Sequence, residues 1–187
     1  MRASEGAVKL DVFIEQIVKK KWNNTDYLKV AGIIIGGIVL FIVLNYVGLI
    51  LGFQIWLMLF TIIAAGVVFL MWYLISNMRV EFEYSVTNGY VVIDKIVSRR
   101  RRKRMITFES RDVEAMQVYK DELYAQRTFG KVLRLDDANP EHDAWCMELT
   151  HKDFGQTLVV FSPDERTLAA MKPFLKRQVA FHAFNRV

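Results

Sequence analysis

From Val30 to Met78 the chain carries no Asp, Glu, Lys, Arg or His, and this apolar block separates a polar N-terminal segment from a region of alternating positions. At about 1.5 Å of rise per residue, the block is roughly twice the length that crosses a hydrocarbon core of about 30 Å. It predicts two spanning helices, Val30 to Val47 and Ile55 to Ile75, with a turn from Gly48 to Gln54. Trp22 and Tyr27 precede the first span, Tyr46, Phe53 and Trp56 flank the turn, and Trp72 and Tyr73 close the second, as interfacial aromatics do.

Ahead of the block, "VKLDVFIEQIVKKKW" sets Leu10, Phe13, Ile14, Ile17 and Val18 on one helical stripe, with Lys9, Asp11, Glu15, Lys19 and Lys20 off it. Residues 1–29 are thus expected to hold an amphipathic helix. Two placements fit it equally: in the headgroup layer, with Lys19, Lys20 and Lys21 toward phosphate and Trp22 at the interface, or packed on the C-terminal domain or a second copy.

After the block the period changes to two. In "VEFEYSV", Val80, Phe82, Tyr84 and Val86 alternate with Glu81, Glu83 and Ser85, and Asn88-Gly89 is the pair that favours a type I′ turn before "YVVIDKIV". Five more strands are expected, at Lys103 to Glu109, Val113 to Tyr119, Thr128 to Leu135, Trp145 to Thr150 and Gln156 to Phe161. A last helix begins with Ser162 as N-cap, Pro163 in the first position and Glu165 closing the capping box. Leu168, Met171, Leu175 and Val179 form its apolar stripe, and Pro173 should kink or split it. Seven strands and a helix make one domain over 79–187, after a hairpin over 30–78: an α+β membrane protein.

Composition agrees: 53% of the 187 residues are hydrophobic and the mean hydropathy is +0.19, high for a soluble domain of this size. Charge sets the orientation. Lys19, Lys20, Lys21 and Lys29 precede the first span, Arg79, Lys95 and Arg99 to Arg104 follow the second, and the turn has no charge. A multi-pass protein of the cell membrane with both termini cytoplasmic is expected. Acids at Glu5, Asp11, Glu15 and Asp26, with no earlier apolar run, argue against a cleaved signal peptide. Cys146 alone makes no internal disulfide.

Gly32 and Gly36 have the spacing that lets membrane helices approach closely, and packing within the hairpin is favoured over a homo-oligomer seam. Asn45 and Gln54 are the only amide side chains in the two expected spans and their turn, both near the far side of the membrane, which leaves no ionisable path across it.

Candidate chemistry is sparse. His142, Cys146 and His151 match no usual zinc spacing, so a buried cysteine is expected rather than a metal site. Asp136, Asp137, Glu141 and Asp143 surround Pro140 and read as a solvated loop. The chain has no nucleophile elbow, phosphate-binding loop or dinucleotide glycine set, and no cofactor is expected.

The order of strands and helix in the C-terminal part resembles a pleckstrin-homology-like (PH-like) sandwich. The motifs "FIEQIVKKK", "EYSVTNGYVVIDKI", "RRRKR" and "LVVFSPDERTLAAMK" are similar to an uncharacterised bacterial family of two-span membrane proteins, a domain of unknown function. The resemblance brings no activity. Phosphoinositide-binding members of the PH class keep basic residues at the first hairpin loop, which here is the uncharged Thr87-Asn88-Gly89, so no inositol-lipid site is carried over.

The basic run Arg99, Arg100, Arg101, Arg102, Lys103 and Arg104 is therefore the remaining candidate. Nucleic acid is disfavoured, since a phosphate grip needs a free surface. A first strand leaving the membrane near Arg79 and a second returning from Asn88-Gly89 put Arg99 beside Val80, at the headgroups, with about half the run facing anionic lipid. The expectation is a non-enzymatic, membrane-anchored interaction module with a protein partner. The alternative is an enzyme or transport accessory subunit with a site in the sandwich or at a subunit interface.

Overall fold

The computed structural model describes residues 11–50, 56–124 and 127–185. It divides into two compact units: a helical one, Lys21–Val80 with Val97–Arg101, and a β-rich one containing Glu81–Ile96 and Arg102–Val187 together with the segment that ends at Lys20.

In the β-rich unit the first element is a strand, β1 (Phe13–Lys19), where the stripe predicts a helix. It pairs antiparallel with β2 (Val80–Thr87), from Phe13 opposite Thr87 to Lys19 opposite Glu81. Ile14, Gln16 and Val18 turn inward while Phe13, Glu15, Ile17 and Lys19 stay exposed. The helical reading fails because Phe13 and Ile17, like Ile14 and Val18, are four residues apart, a spacing that satisfies a period of two as well as 3.6. Val12 is bracketed by Asn88, whose main-chain N–H donates to Val12 O and whose Oδ1 accepts from Val12 N, each at 3.0 Å.

β3 (Tyr90–Val97) and β4 (Arg101–Glu109) complete a sheet in the order β1-β2-β3-β4. Asn88 and Gly89 have φ of 49° and 86°, the paired left-handed conformation of a type I′ turn. A short 3₁₀ turn, Ser110–Asp112, leads to β5 (Val113–Val118), the short helix α3 (Asp121–Tyr124), β6 (Lys131–Leu135), β7 (Trp145–His151) and β8 (Gly155–Phe161). The second sheet runs β5-β7-β8-β6, with β6 parallel to β8. The described residues thus hold eight strands rather than seven, because the strand preceding the helical unit joins the first sheet. Tyr84, Val86, Ile93, Met147, Val159 and Phe161 are fully buried, and Tyr84 meets Phe161 edge-on at 5.8 Å.

The C-terminal helix is divided as Pro173 predicts: α4 (Glu165–Met171), a 3₁₀ turn at Lys172–Phe174, and α5 (Arg177–Phe184). Met171, Leu175 and Val179 are buried, each removal from water contributing about 1.5 to 3 kcal/mol. The N-cap is Asp164 rather than Ser162: the Thr167 N–H donates to Asp164 Oδ1 at 2.7 Å.

In the helical unit, α1 (Asn24–Ile50) and α2 (Trp56–Ser76) pack on each other, with Phe41 and Phe60 edge-on at 5.4 Å. Among the described residues α1 is the one helix long and apolar enough to cross a bilayer, and the apolar stretch Ile62–Ser76 is shorter than that. α1 continues through Gly48 to Ile50, past the start of the expected turn, whose remainder lies outside the described residues. Gly32 and Gly36 do not make the close approach between these helices, since a Cβ at either would meet nothing within 4 Å. Gly37 makes it: a Cβ there would run into the Met71 side chain. Asn45 Nδ2 donates to Phe41 O at 2.8 Å, so this amide is satisfied within its own helix.

Candidate membrane interface

The basic run begins in a turn and continues into β4. Ser98 and Arg99 both have left-handed backbones, φ 54° and 55°, unusual for side chains other than Gly, Asn or Asp. Contacts in the helical unit hold the turn. Ser98 N–H donates to Arg79 O at 2.8 Å, and the Ser98 and Ser76 hydroxyls are 2.7 Å apart. The Arg100 guanidinium lies 5.0 Å from the Trp72 ring centre, and Arg101 Nη2 donates to Tyr73 Oη at 3.4 Å. The turn therefore places two guanidinium groups on the paired aromatics that close α2. The adjacency of Ser98 and Arg79 matches the expected return of the chain beside Val80.

The rest of the run is differently employed. Arg102 forms an ion pair with Glu83 and approaches Asp94 at 3.9 Å, while Arg104 Nε lies 3.3 Å from Asp94 Oδ1. Glu83 and Asp94 are buried, and a buried carboxylate needs a charged partner. Arg102 and Arg104 neutralise the sheet's own acids, while Arg100 and Arg101 take the aromatic side chains of α2. The pairing was not readable beforehand because Glu83 alternates with core residues and reads as a solvated position.

At the start of α1, Trp22 and Tyr27 meet edge-on at 5.6 Å, and Lys29 pairs with Asp26 at 3.2 Å. Lys19 ends β1, and Lys20, Lys21 and Trp22 follow it in the connection to α1; an amphipathic helix does not carry them. Along the sequence, cations and aromatics are nonetheless neighbours at this helix end too.

The loop of acids is only partly solvated. Asp136 and Asp137 are buried, whereas Glu141 and Asp143 are exposed. Asp137 accepts from Ser162 Oγ at 2.9 Å and from Asn139 N–H at 3.1 Å, and its Oδ2 lies 2.9 Å from His142 Nδ1. Burial pushes the Asp137 carboxyl up, but hydrogen bonds from His142, Asn139 and Ser162 outweigh it and hold its pKa below the usual carboxylate range. Ser162 and His142 both turn to the same carboxylate. A nucleophilic serine needs the histidine between itself and the acid, so this network is a structural clasp.

His142, Cys146 and His151 are engaged separately: Cys146 Sγ donates to Tyr124 Oη at 3.1 Å, and His151 stacks on Phe154 at 4.9 Å. Burial pushes the Cys146 thiol up, the opposite of a reactive cysteine. Among the described residues no group of three His, Cys, Asp or Glu could hold a metal ion.

The chain matches, over residues 10–181, the family described as Bacterial PH-like domain (DUF6106). No curated protein and no solved structure matches it. The matched span takes in β1, both apolar helices and the sandwich, so the strand ahead of the helices is part of the family's pattern. With nearly the whole length matched, the chain belongs to the bacterial PH-like domain family DUF6106.

Proposed function

We propose that this protein is a non-enzymatic interaction module anchored in the cell membrane by the α1–α2 hairpin, with both termini and the PH-like domain on the cytoplasmic side. Its basic turn contacts anionic lipid headgroups, and the sandwich binds a protein partner. The observation that carries this reading is the seating of Arg100 on Trp72 and Arg101 on Tyr73. Trp and Tyr at the end of an apolar helix mark the depth of the headgroups, and guanidinium groups on them meet lipid phosphate there. The absence of charge between Val30 and Met78, with lysines and arginines outside both ends, supports the two-span topology.

Lipid contact is tested on the full chain extracted from membranes of mixed composition and gradually delipidated in detergent. Wild type should retain anionic phospholipid over zwitterionic. Joint replacement of Arg99, Arg100 and Arg101 by Gln should abolish that preference, since each cation near the leaflet contributes about 1 kcal/mol and three together roughly a hundredfold. Equal retention of both lipid types by wild type would refute the lipid contact. Topology is tested with an impermeant thiol reagent on intact cells: a cysteine at Leu49 should react, and cysteines at Lys20 and Asn185 should not.

A further inference from the structure

Arg100 and Arg101 are held on one aromatic platform at the end of α2. Phe69 meets Trp72 with ring centres 5.8 Å apart and stacks on Tyr73 at 6.5 Å, so the three rings share a face of the helix. The Arg100 guanidinium lies 5.0 Å from the Trp72 ring centre. Attraction to a ring holds a guanidinium by its charge and takes up none of its ordinary hydrogen bonds, so Arg100 keeps its N–H fork. Arg101 gives one N–H, on Nη2, to Tyr73 Oη at 3.4 Å and keeps the others. Both residues are exposed, and among the described residues neither forms an ion pair with a carboxylate, in contrast to Arg102 and Arg104. The backbone beneath them is fixed as well. Arg100 N–H donates to Val97 O at 3.1 Å, and Ser98 and Arg99 are left-handed in succession, a strained conformation of the kind that clusters at ligand clamps.

From this geometry we infer that the turn is a two-seat site for a lipid carrying two phosphates joined by a short bridge, the class to which cardiolipin belongs. The inference rests on the reading of the turn as a lipid contact and names its lipid. A guanidinium fork matches the oxygens of one phosphate. Two forks on neighbouring residues, each steadied by its own ring, match two phosphates. Once the first phosphate is seated, the bridge holds the second at high effective concentration beside the other fork, a gain that two separate lipids lack. Seating on the rings adds to this, because an arginine already held in place loses less rotamer freedom when the phosphate arrives. Phe69 is 63% exposed and lies one turn further into α2, where it offers an apolar surface to the acyl chains below the headgroup.

The test uses the full chain in detergent micelles, equilibrated with phosphatidylcholine plus either cardiolipin or phosphatidylglycerol at equal anionic phosphate and then gradually delipidated. Native mass spectrometry counts the lipids that stay bound. Wild type should retain cardiolipin over phosphatidylglycerol by about tenfold per phosphate, equivalent to roughly 1.4 kcal/mol. Arg100→Gln and Arg101→Gln, made singly, should each bring cardiolipin down to the level of phosphatidylglycerol and keep both above phosphatidylcholine, since one seat remains. Neither should lower the melting temperature, because both side chains are exposed. Trp72→Leu keeps every charge and should still reduce the preference for cardiolipin, which a purely electrostatic attraction would not do. Three results would overturn the two-seat site: equal retention of cardiolipin and phosphatidylglycerol by wild type, a cardiolipin preference unchanged in both arginine variants, or retention of phosphatidic acid above cardiolipin at equal phosphate, which would mean that both forks close on a single phosphate. If cardiolipin and phosphatidylglycerol are retained equally and both exceed phosphatidylcholine, the two-seat site fails and the lipid reading stands. If neither exceeds phosphatidylcholine, both fail.

Discussion

Gln16 Oε1 accepts the Asp164 main-chain N–H at 2.9 Å, across 148 residues of chain. The same oxygen accepts from Thr167 Oγ1 at 2.9 Å, and Gln16 Nε2 donates to Ser162 O at 3.1 Å. One carboxamide thus ties the strand that precedes the apolar helices to the start of the helix that follows the sandwich.

Gln16→Ala removes three hydrogen bonds, and at about 1 kcal/mol net each it should cost about 1 to 3 kcal/mol. Denaturant unfolding of the full chain, followed by the fluorescence of Trp145, checks the loss. Gln16→Glu should be at least as damaging, because a carboxylate cannot donate to Ser162 O and would lie near the Asp164 carboxyl.

Lys19 pairs with Glu81 at the point where the chain leaves β1 and re-enters β2. Replacing residues 20–80 by a two-residue Asn-Gly turn should close β1 and β2 into an ordinary hairpin and yield a water-soluble, folded β domain. A fragment beginning at residue 80 lacks β1 and the Gln16 contacts and should melt at a lower temperature than the closed version. Circular dichroism and thermal melts of both fragments decide this, and equal melting would mean that β1 contributes nothing to the sandwich.

Arg102→Gln leaves Glu83 without its charged partner. Because the carboxylate is buried but the guanidinium is about half exposed, the cost should be about 1 to 3 kcal/mol, between the values for exposed and buried pairs. Adding Glu83→Gln should recover part of it. A double-mutant cycle with no coupling would show that the pair does not matter.

The folded pKa of Asp137 lies below its unfolded value of about 3.9. Its contribution to stability is therefore fully present above that value and is lost as the pH falls through the folded pKa. Asp137→Asn should lower stability at pH 7 and flatten the acid limb of the stability curve below about pH 4. Unchanged pH dependence in the variant would remove Asp137 from the account.

Gly37→Val puts a branched side chain where Met71 lies and should loosen the pairing of α1 and α2. Gly32→Val and Gly36→Val should leave it intact. Thermal stability in detergent, with disulfide trapping of cysteines at Phe41 and Phe60 as a direct measure of helix proximity, separates the three.

Local chemistry alone determined much of this molecule. An uncharged run from Val30 to Met78 favours apolar helix, as α1 and α2 show, Asn88-Gly89 can supply two left-handed residues in succession, and Pro173 lacks the N–H that a continuous helix requires. Each of these conclusions concerns a few neighbouring residues and needs no partner. Tertiary structure decided the rest. Residues 13–19 carry a spacing compatible with helix and strand alike, and the open edge of β2, more than sixty residues away, selects the strand. Ser162 and Asp164 are both good N-caps. Ser162 is drawn off by Asp137 and by Tyr84, whose hydroxyl accepts the Ser162 N–H at 3.2 Å, and Asp164 caps instead. The six basic residues read as one patch because charge counts ignore direction. Burial of Glu83 and Asp94 divides them, since a carboxylate removed from water takes the nearest guanidinium whatever its place in the run.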